Sequence, residues 1–136
     1  MSRIVTVGAA QMGPIQRNDT RTNAVQRLIA LLEQGAKSGC DLVVFPELAL
    51  TTFFPRWFVE NISEADHWYE TEMPSSVTQP IFDVARELKI GFCLGYAELT
   101  APDAKGIRHR FNTQILVDRE GKIVGKYHKV HIPGHE

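Results

Sequence analysis

Within the first 45 positions the apolar residues change period twice, and this limits the fold more than any other feature. Ile4 to Ala10 reads as a strand, with β-branched Ile4, Val5, Thr6 and Val7 followed by small residues, and Gly13-Pro14 ends it. From about Thr20 the spacing turns helical: Val25, Leu28, Ile29, Leu32 and Ala36 fall at i, i+3, i+4, i+7 and i+11. Asp19 or Thr20 stands ready as N-cap and Gly39 as the stop. Leu42-Val43-Val44-Phe45 is then a continuous apolar run, as a strand buried on both faces requires, and Pro46 closes it. Strand, crossover helix and buried strand imply parallel pairing in one sheet.

Residues 51–75 are loop-like, rich in aromatics, acids and prolines, with a short helix expected after Pro55. A second helix is expected from about Val77 to Lys89, with Pro80 in its first turn and Ile81, Val84, Ala85 and Leu88 on its buried face. Ile90 to Leu99 and Arg110 to Val117 read as strands, separated by a polar turn at Pro102 to Lys105. Asp118-Arg119-Glu120-Gly121 reads as a hairpin connection to a last strand, Lys122 to Val130. The order β-α-β-α-β-β-β predicts an α/β fold over residues 1–136, a mixed sheet with helices on one face. The other face needs a cover of its own.

The balance of 15 basic and 16 acidic side chains gives no electrostatic reason to expect nucleic acid or anionic lipid. The opening apolar run is too short for the core of a signal peptide, and no stretch approaches the ~20 apolar residues of a membrane span. A soluble cytoplasmic protein is expected. Cys40 and Cys93 lack metal-ligand spacing; Cys93 sits inside an apolar strand and Cys40 beside Asp41, so both read as packing thiols. Neither a dinucleotide fingerprint nor a phosphate loop is present.

Glu47 stands where α/β sheets collect functional groups, beyond a strand's carboxyl end, and Lys129 lies at the end of the last strand. Glu47 follows Pro46 and precedes Leu48-Ala49-Leu50, a setting that raises a carboxylate pKa unless the group is paired and so suits a general base. A solvated strand-end glutamate is the competing reading. In Tyr127-His128-Lys129-Val130-His131, alternation puts Tyr127, Lys129 and His131 on one face. Lys129 there suits oxyanion stabilisation, and a protective edge-strand lysine is the alternative. His128, His131 and His135 are not expected to bind metal, because Pro133-Gly134 breaks the helix that would align them. His131 reads instead as a polar group near the site. Phe53 and Phe54, in the aromatic run Thr51 to Trp57, are candidates for a substrate-pocket wall, with simple packing as the alternative.

Taken together these segments resemble the nitrilase superfamily of carbon-nitrogen hydrolases. The match runs from Val5-Thr6-Val7-Gly8-Ala9-Ala10-Gln11-Met12 through Leu42 to Leu48 and Gly121 to His131. Leu48 to Trp57, Tyr69-Glu70-Thr71-Glu72-Met73-Pro74 and Phe111-Asn112-Thr113 look most like N-carbamoyl-D-amino-acid hydrolases. The resemblance implies the N-terminal half of an α-β-β-α sandwich and a Glu-Lys-Cys triad. Glu47 would be its base and Lys129 its oxyanion-holding residue. It also implies a small-molecule substrate, most like an N-carbamoyl amino acid, no cofactor or metal, and a homo-oligomer. His128 departs from the arginine common at that place in the family.

Family members are about twice as long, and their nucleophilic cysteine lies beyond position 136; neither Cys40 nor Cys93 matches it. The chain alone is therefore expected to be inactive, since losing a nucleophile costs on the order of a million-fold in turnover. A general aliphatic amidase or nitrilase, and a non-catalytic half that pairs with itself or a full-length relative, are the other readings. If roughly 1,000 Å² of apolar sheet stays uncovered, about 25 kcal/mol of burial is forgone, so a partly folded or self-associating chain is expected unless a second chain completes it.

Overall fold

The computed structural model describes residues 2–132 and contains one five-stranded mixed sheet, in the order β1-β2-β3-β4-β5. β1 (Val7–Ala9) pairs parallel with β2 (Leu42–Val44), Val7 opposite Leu42, and β2 pairs parallel with β3 (Gly91–Leu99), Leu42 opposite Gly91. β4 (Arg110–Val117) runs antiparallel to β3, and β5 (Ile123–His128) antiparallel to β4, with a register shift at Leu116/Val117. Helix α1 (Arg21–Lys37) crosses from β1 to β2, and α2 (Gln79–Leu88) leads into β3. Thr20 caps α1, its hydroxyl accepting the Asn23 N–H at 3.2 Å. Gly39, at φ +77°, takes the left-handed conformation that lets the chain turn from α1 towards β2.

Both helices lie on one sheet face, as expected. Leu28 and Leu32 of α1 and Ile81, Phe82 and Ala85 of α2 are buried against Val43, Phe45, Phe92, Leu94, Ile115 and Val117. The buried face of α2 differs from expectation in two places. Leu88 is 40% exposed, because α2 stops there and Lys89 turns left-handed (φ 53°). Phe82 takes a core place instead, its ring edge-on to Phe92 at 5.2 Å.

β1 and β5 are shorter than the apolar runs suggest. β1 pairs only along the three residues of β2, and Ile4 is left 89% exposed. β5 ends at His128, although the Lys129 N–H still donates to the Asn112 carbonyl at 2.8 Å. Residues 51–75 hold two 3₁₀ segments, Phe54–Arg56 and Ile62–Trp68. This excursion is tied back at Glu70, whose N–H donates to the Ala97 carbonyl (2.7 Å) and whose carbonyl accepts from Leu99 (2.9 Å). It thereby fills the part of the β3 edge that the short β2 leaves open.

The face away from the helices is covered at Ala97 by Leu48, Phe54, Ala65 and Trp68, and is open at Val7, Val44, Leu116 and Tyr127, which are all exposed. Among the described residues no helix is long and apolar enough to cross a membrane.

Candidate active site

The topology brings distant parts of the chain to one end of the sheet. β2, β3 and β5 run one way and β4 the other, so the carboxyl ends of β2 and β5 share an edge with the start of β4. Glu47 follows the first, Lys129 the second, and Asn112 lies near the start of the third.

Glu47 sits on an elbow. Phe45 N–H still donates to the Cys93 carbonyl (3.0 Å) and Ala49 N–H to the Gly95 carbonyl (2.9 Å), but Pro46 between them has no N–H to give. The chain therefore lifts off β3 at residues 46–48, and Leu48 is left-handed (φ 50°), a local strain of the kind held at functional sites. The elbow passes directly over Gly95: a methyl group there would lie 3.2 Å from both Glu47 Cα and Leu48 N. Glu47 can reach across β3 to β4 and β5 because Gly95 has no side chain in the way.

Across that strand, Glu47 Oε1 accepts two hydrogen bonds, from Lys129 Nζ at 2.7 Å and Asn112 Nδ2 at 2.6 Å. Asn112 thus holds both partners, Glu47 through its side chain and Lys129 through its backbone carbonyl. The hydrogen bond from Lys129 holds the Glu47 carboxyl below its ordinary range; partial burial opposes this and the Asn112 bond adds to it. The sequence context alone pointed to a raised value unless the group was paired, and it is paired. Leu48, Ala49 and Leu50 are buried while Glu47 itself stays exposed, so its desolvation is only partial and the paired donors outweigh it.

On the helix side of the same strands, Glu98 gathers a second polar cluster. It accepts from Thr113 Oγ1 (2.8 Å) and from Lys126 Nζ, and pairs with His128 Nε2 at 2.9 Å. Burial pushes the Glu98 carboxyl up, but these donors outweigh it and hold the group low. His128 also stacks flat on Phe111, ring centroids 3.9 Å apart. It therefore faces away from Glu47, as strand alternation demands.

The model of carbon-nitrogen hydrolases matches residues 6–136, nearly the whole chain. The chain belongs to the carbon-nitrogen hydrolase family. Among curated relatives, a cyanide hydratase of Penicillium rubens is 27% identical over 114 residues, 79% of this chain and 30% of the relative. An aliphatic nitrilase of Rhodococcus rhodochrous is 24% identical over 131 residues, 91% of this chain and 34% of the relative. The chain thus spans about a third of the length of these two relatives. Among solved structures, an amidase from Nesterenkonia sp. AN1 in complex with butyramide superposes with a TM-score of 0.70 at 17% identity, covering 96% of this chain and 45% of the amidase. That likeness establishes the nitrilase-like α/β fold.

Within this member of the carbon-nitrogen hydrolase family the sequence-predicted residues are placed unequally. Glu47 and Lys129, 82 positions apart, meet directly. Phe54 is buried and lines an apolar cavity of about 320 Å³, whereas Phe53 is 49% exposed and is not part of its wall. His131 is exposed and lines none of the cavities described. His135 lies outside the described residues. Among those residues no group of three metal-ligating side chains is placed to hold an ion. Neither Cys40 nor Cys93 is a hydrogen-bond partner of Glu47 or Lys129. Burial raises the Cys93 thiol, with a Gln114 hydrogen bond opposing it, and Cys40 packs 3.0 Å from the Cβ position of Gly8.

Sequence reasoning named Asn112 only inside a family-like motif and gave it no role, and it missed Gly95. A glycine inside an otherwise apolar strand signals close approach of another backbone, and Gly95 in Leu94-Gly95-Tyr96 carried that signal. Asn112 carried a weaker one, a carboxamide in a strand beside threonine.

Proposed function

We propose that Glu47 and Lys129 are the base and the oxyanion-holding residue of a Glu-Lys-Cys hydrolase acting on non-peptide carbon-nitrogen bonds. One observation carries this reading: two ionisable groups from separate strand ends share a hydrogen bond at the carboxyl edge of the sheet. Neither partner is required there for folding the core, since Glu47 is exposed and Lys129 half-buried. The nucleophilic sulfur is proposed to come from neither Cys40 nor Cys93.

In this mechanism Glu47 takes the thiol proton and the thiolate attacks the substrate carbonyl carbon. The Lys129 ammonium holds the resulting oxyanion. The C–N bond breaks as the leaving amine receives the proton from Glu47. Water, deprotonated by the same carboxylate, then hydrolyses the acyl-sulfur intermediate. Because Lys129 and Asn112 both occupy Oε1, Oε2 is the oxygen left to take the proton.

The substrate we favour is an N-carbamoyl-D-amino acid, giving the D-amino acid, ammonia and carbon dioxide. The motif likeness in Leu48 to Trp57 and Phe111 to Thr113 supports it. A second reading, a general aliphatic amidase or nitrilase, has support from the aliphatic nitrilase and amidase similarities. Ammonia release by the product of the full reading frame containing residues 1–136 separates them, using N-carbamoyl-D-phenylalanine, its L-enantiomer, butyramide and butyronitrile. Selective turnover of the D-carbamoyl compound is the expected result. Turnover of butyramide or butyronitrile alone rejects the favoured substrate and keeps the second reading.

A further inference from the structure

Asn112 and the cavity beside it carry an inference about substrate class that rests on the hydrolase reading above. The Glu47 carboxylate accepts from Asn112 Nδ2 at 2.6 Å, which fixes the carboxamide orientation: the nitrogen must face the carboxylate. Its Oδ1 has no hydrogen-bond partner among the described residues. The one sealed-off side-chain oxygen or nitrogen without a partner there is Thr52 Oγ1, so Asn112 Oδ1 is open to solvent. An acceptor is thus left free beside the Glu47–Lys129 pair.

Asn112 is also a wall of the 320 Å³ cavity, together with Phe54, Trp57, Phe58, Ile62 and Phe111. This size lies at the small end of ligand pockets, which span roughly 300–1,000 Å³. Arg110, the one charged lining residue among those described, is held by Asp66 through two bonds of 2.7 and 2.9 Å. The cavity therefore presents aromatic and aliphatic surface, no free charge, and one polar acceptor where its wall adjoins Glu47. Its described walls offer a carboxylate no free cation, and they offer a ring-sized apolar group a largely aromatic surface.

We propose that the site takes amides or carbamoyl compounds bearing a ring-sized apolar substituent, with the ring in this cavity and a substrate N–H donated to Asn112 Oδ1. A nitrile of the same shape has no N–H to donate, and acetamide has no ring. Three probes separate the parts: phenylacetamide, phenylacetonitrile and acetamide, with binding to the chain followed through the Asn112 side-chain amide resonance. Phenylacetamide is expected to bind roughly tenfold or more tightly than either of the others. Equal affinity for phenylacetonitrile overturns the role of Asn112; equal affinity for acetamide overturns that of the cavity. Phe58→Ala changes an 86%-exposed side chain and so leaves the fold intact. It is expected to lower affinity for phenylacetamide several-fold and for acetamide not at all, and no change for phenylacetamide contradicts the proposal. Because binding is the readout, absence of ammonia release counts against the hydrolase reading alone. Turnover without the binding preference counts against this inference alone.

Discussion

At the scale of single residues, Glu47 shows how a partner reverses what neighbours suggest. Its apolar flanks are turned inward and its own carboxylate outward, onto a lysine and a carboxamide. A carboxyl held low in the folded chain stabilises the fold above its unfolded pKa, and that contribution is lost as pH falls through the folded value. Side-chain NMR titration should therefore find Glu47 titrating below its ordinary value of 4.5, with Lys129→Met moving it upward. A Glu47 titration that Lys129→Met leaves unchanged would show that the pair does not form in solution. The exposure of Glu47 keeps the associated stability small, because solvent screens the pair.

At the scale of elements, the site depends on one strand making room for another. The β2 elbow crosses β3 at Gly95, and only that crossing lets a residue after β2 meet one after β5. Gly95→Val should push the elbow away and break the Glu47–Lys129 contact. Core packing on the other face would stay largely intact, with Phe82 still edge-on to Phe92. Loss of the low Glu47 titration in a variant that retains its far-ultraviolet circular dichroism is the expected result; an unchanged titration refutes the crossing as the positioning device. Much of this was legible in the sequence, because local rules govern it. The period of Val25 to Ala36 gave α1, and the run Leu42 to Phe45 before Pro46 gave β2 and its end. What escaped was set by distant partners. The length of β1 follows β2, Leu88 turns outward at a left-handed Lys89, and Asn112 matters only because residues 65 positions away arch back to it.

At the scale of the whole molecule, the two faces of the sheet are covered unequally. α1 and α2 bury one face, while the other is covered only where Leu48, Phe54, Ala65 and Trp68 pack with Ala97 and is apolar and open at Val7, Val44, Leu116 and Tyr127. An open apolar face of this kind drives association. We expect the chain on its own to self-associate, and Val44→Lys with Leu116→Lys to shift it towards monomer in sedimentation velocity; a monomeric wild-type chain at high concentration speaks against that. The chain alone is also expected to release no ammonia from any amide or carbamoyl substrate. The account as a whole turns on Glu47 acting as a base beside Lys129. The most direct measurement is ammonia release by the product of the full reading frame containing these residues, wild type against Glu47→Gln. The account predicts turnover in the wild type and a loss of at least roughly a hundredfold in the variant, as removal of a general base gives. Turnover that survives Glu47→Gln undiminished would contradict it.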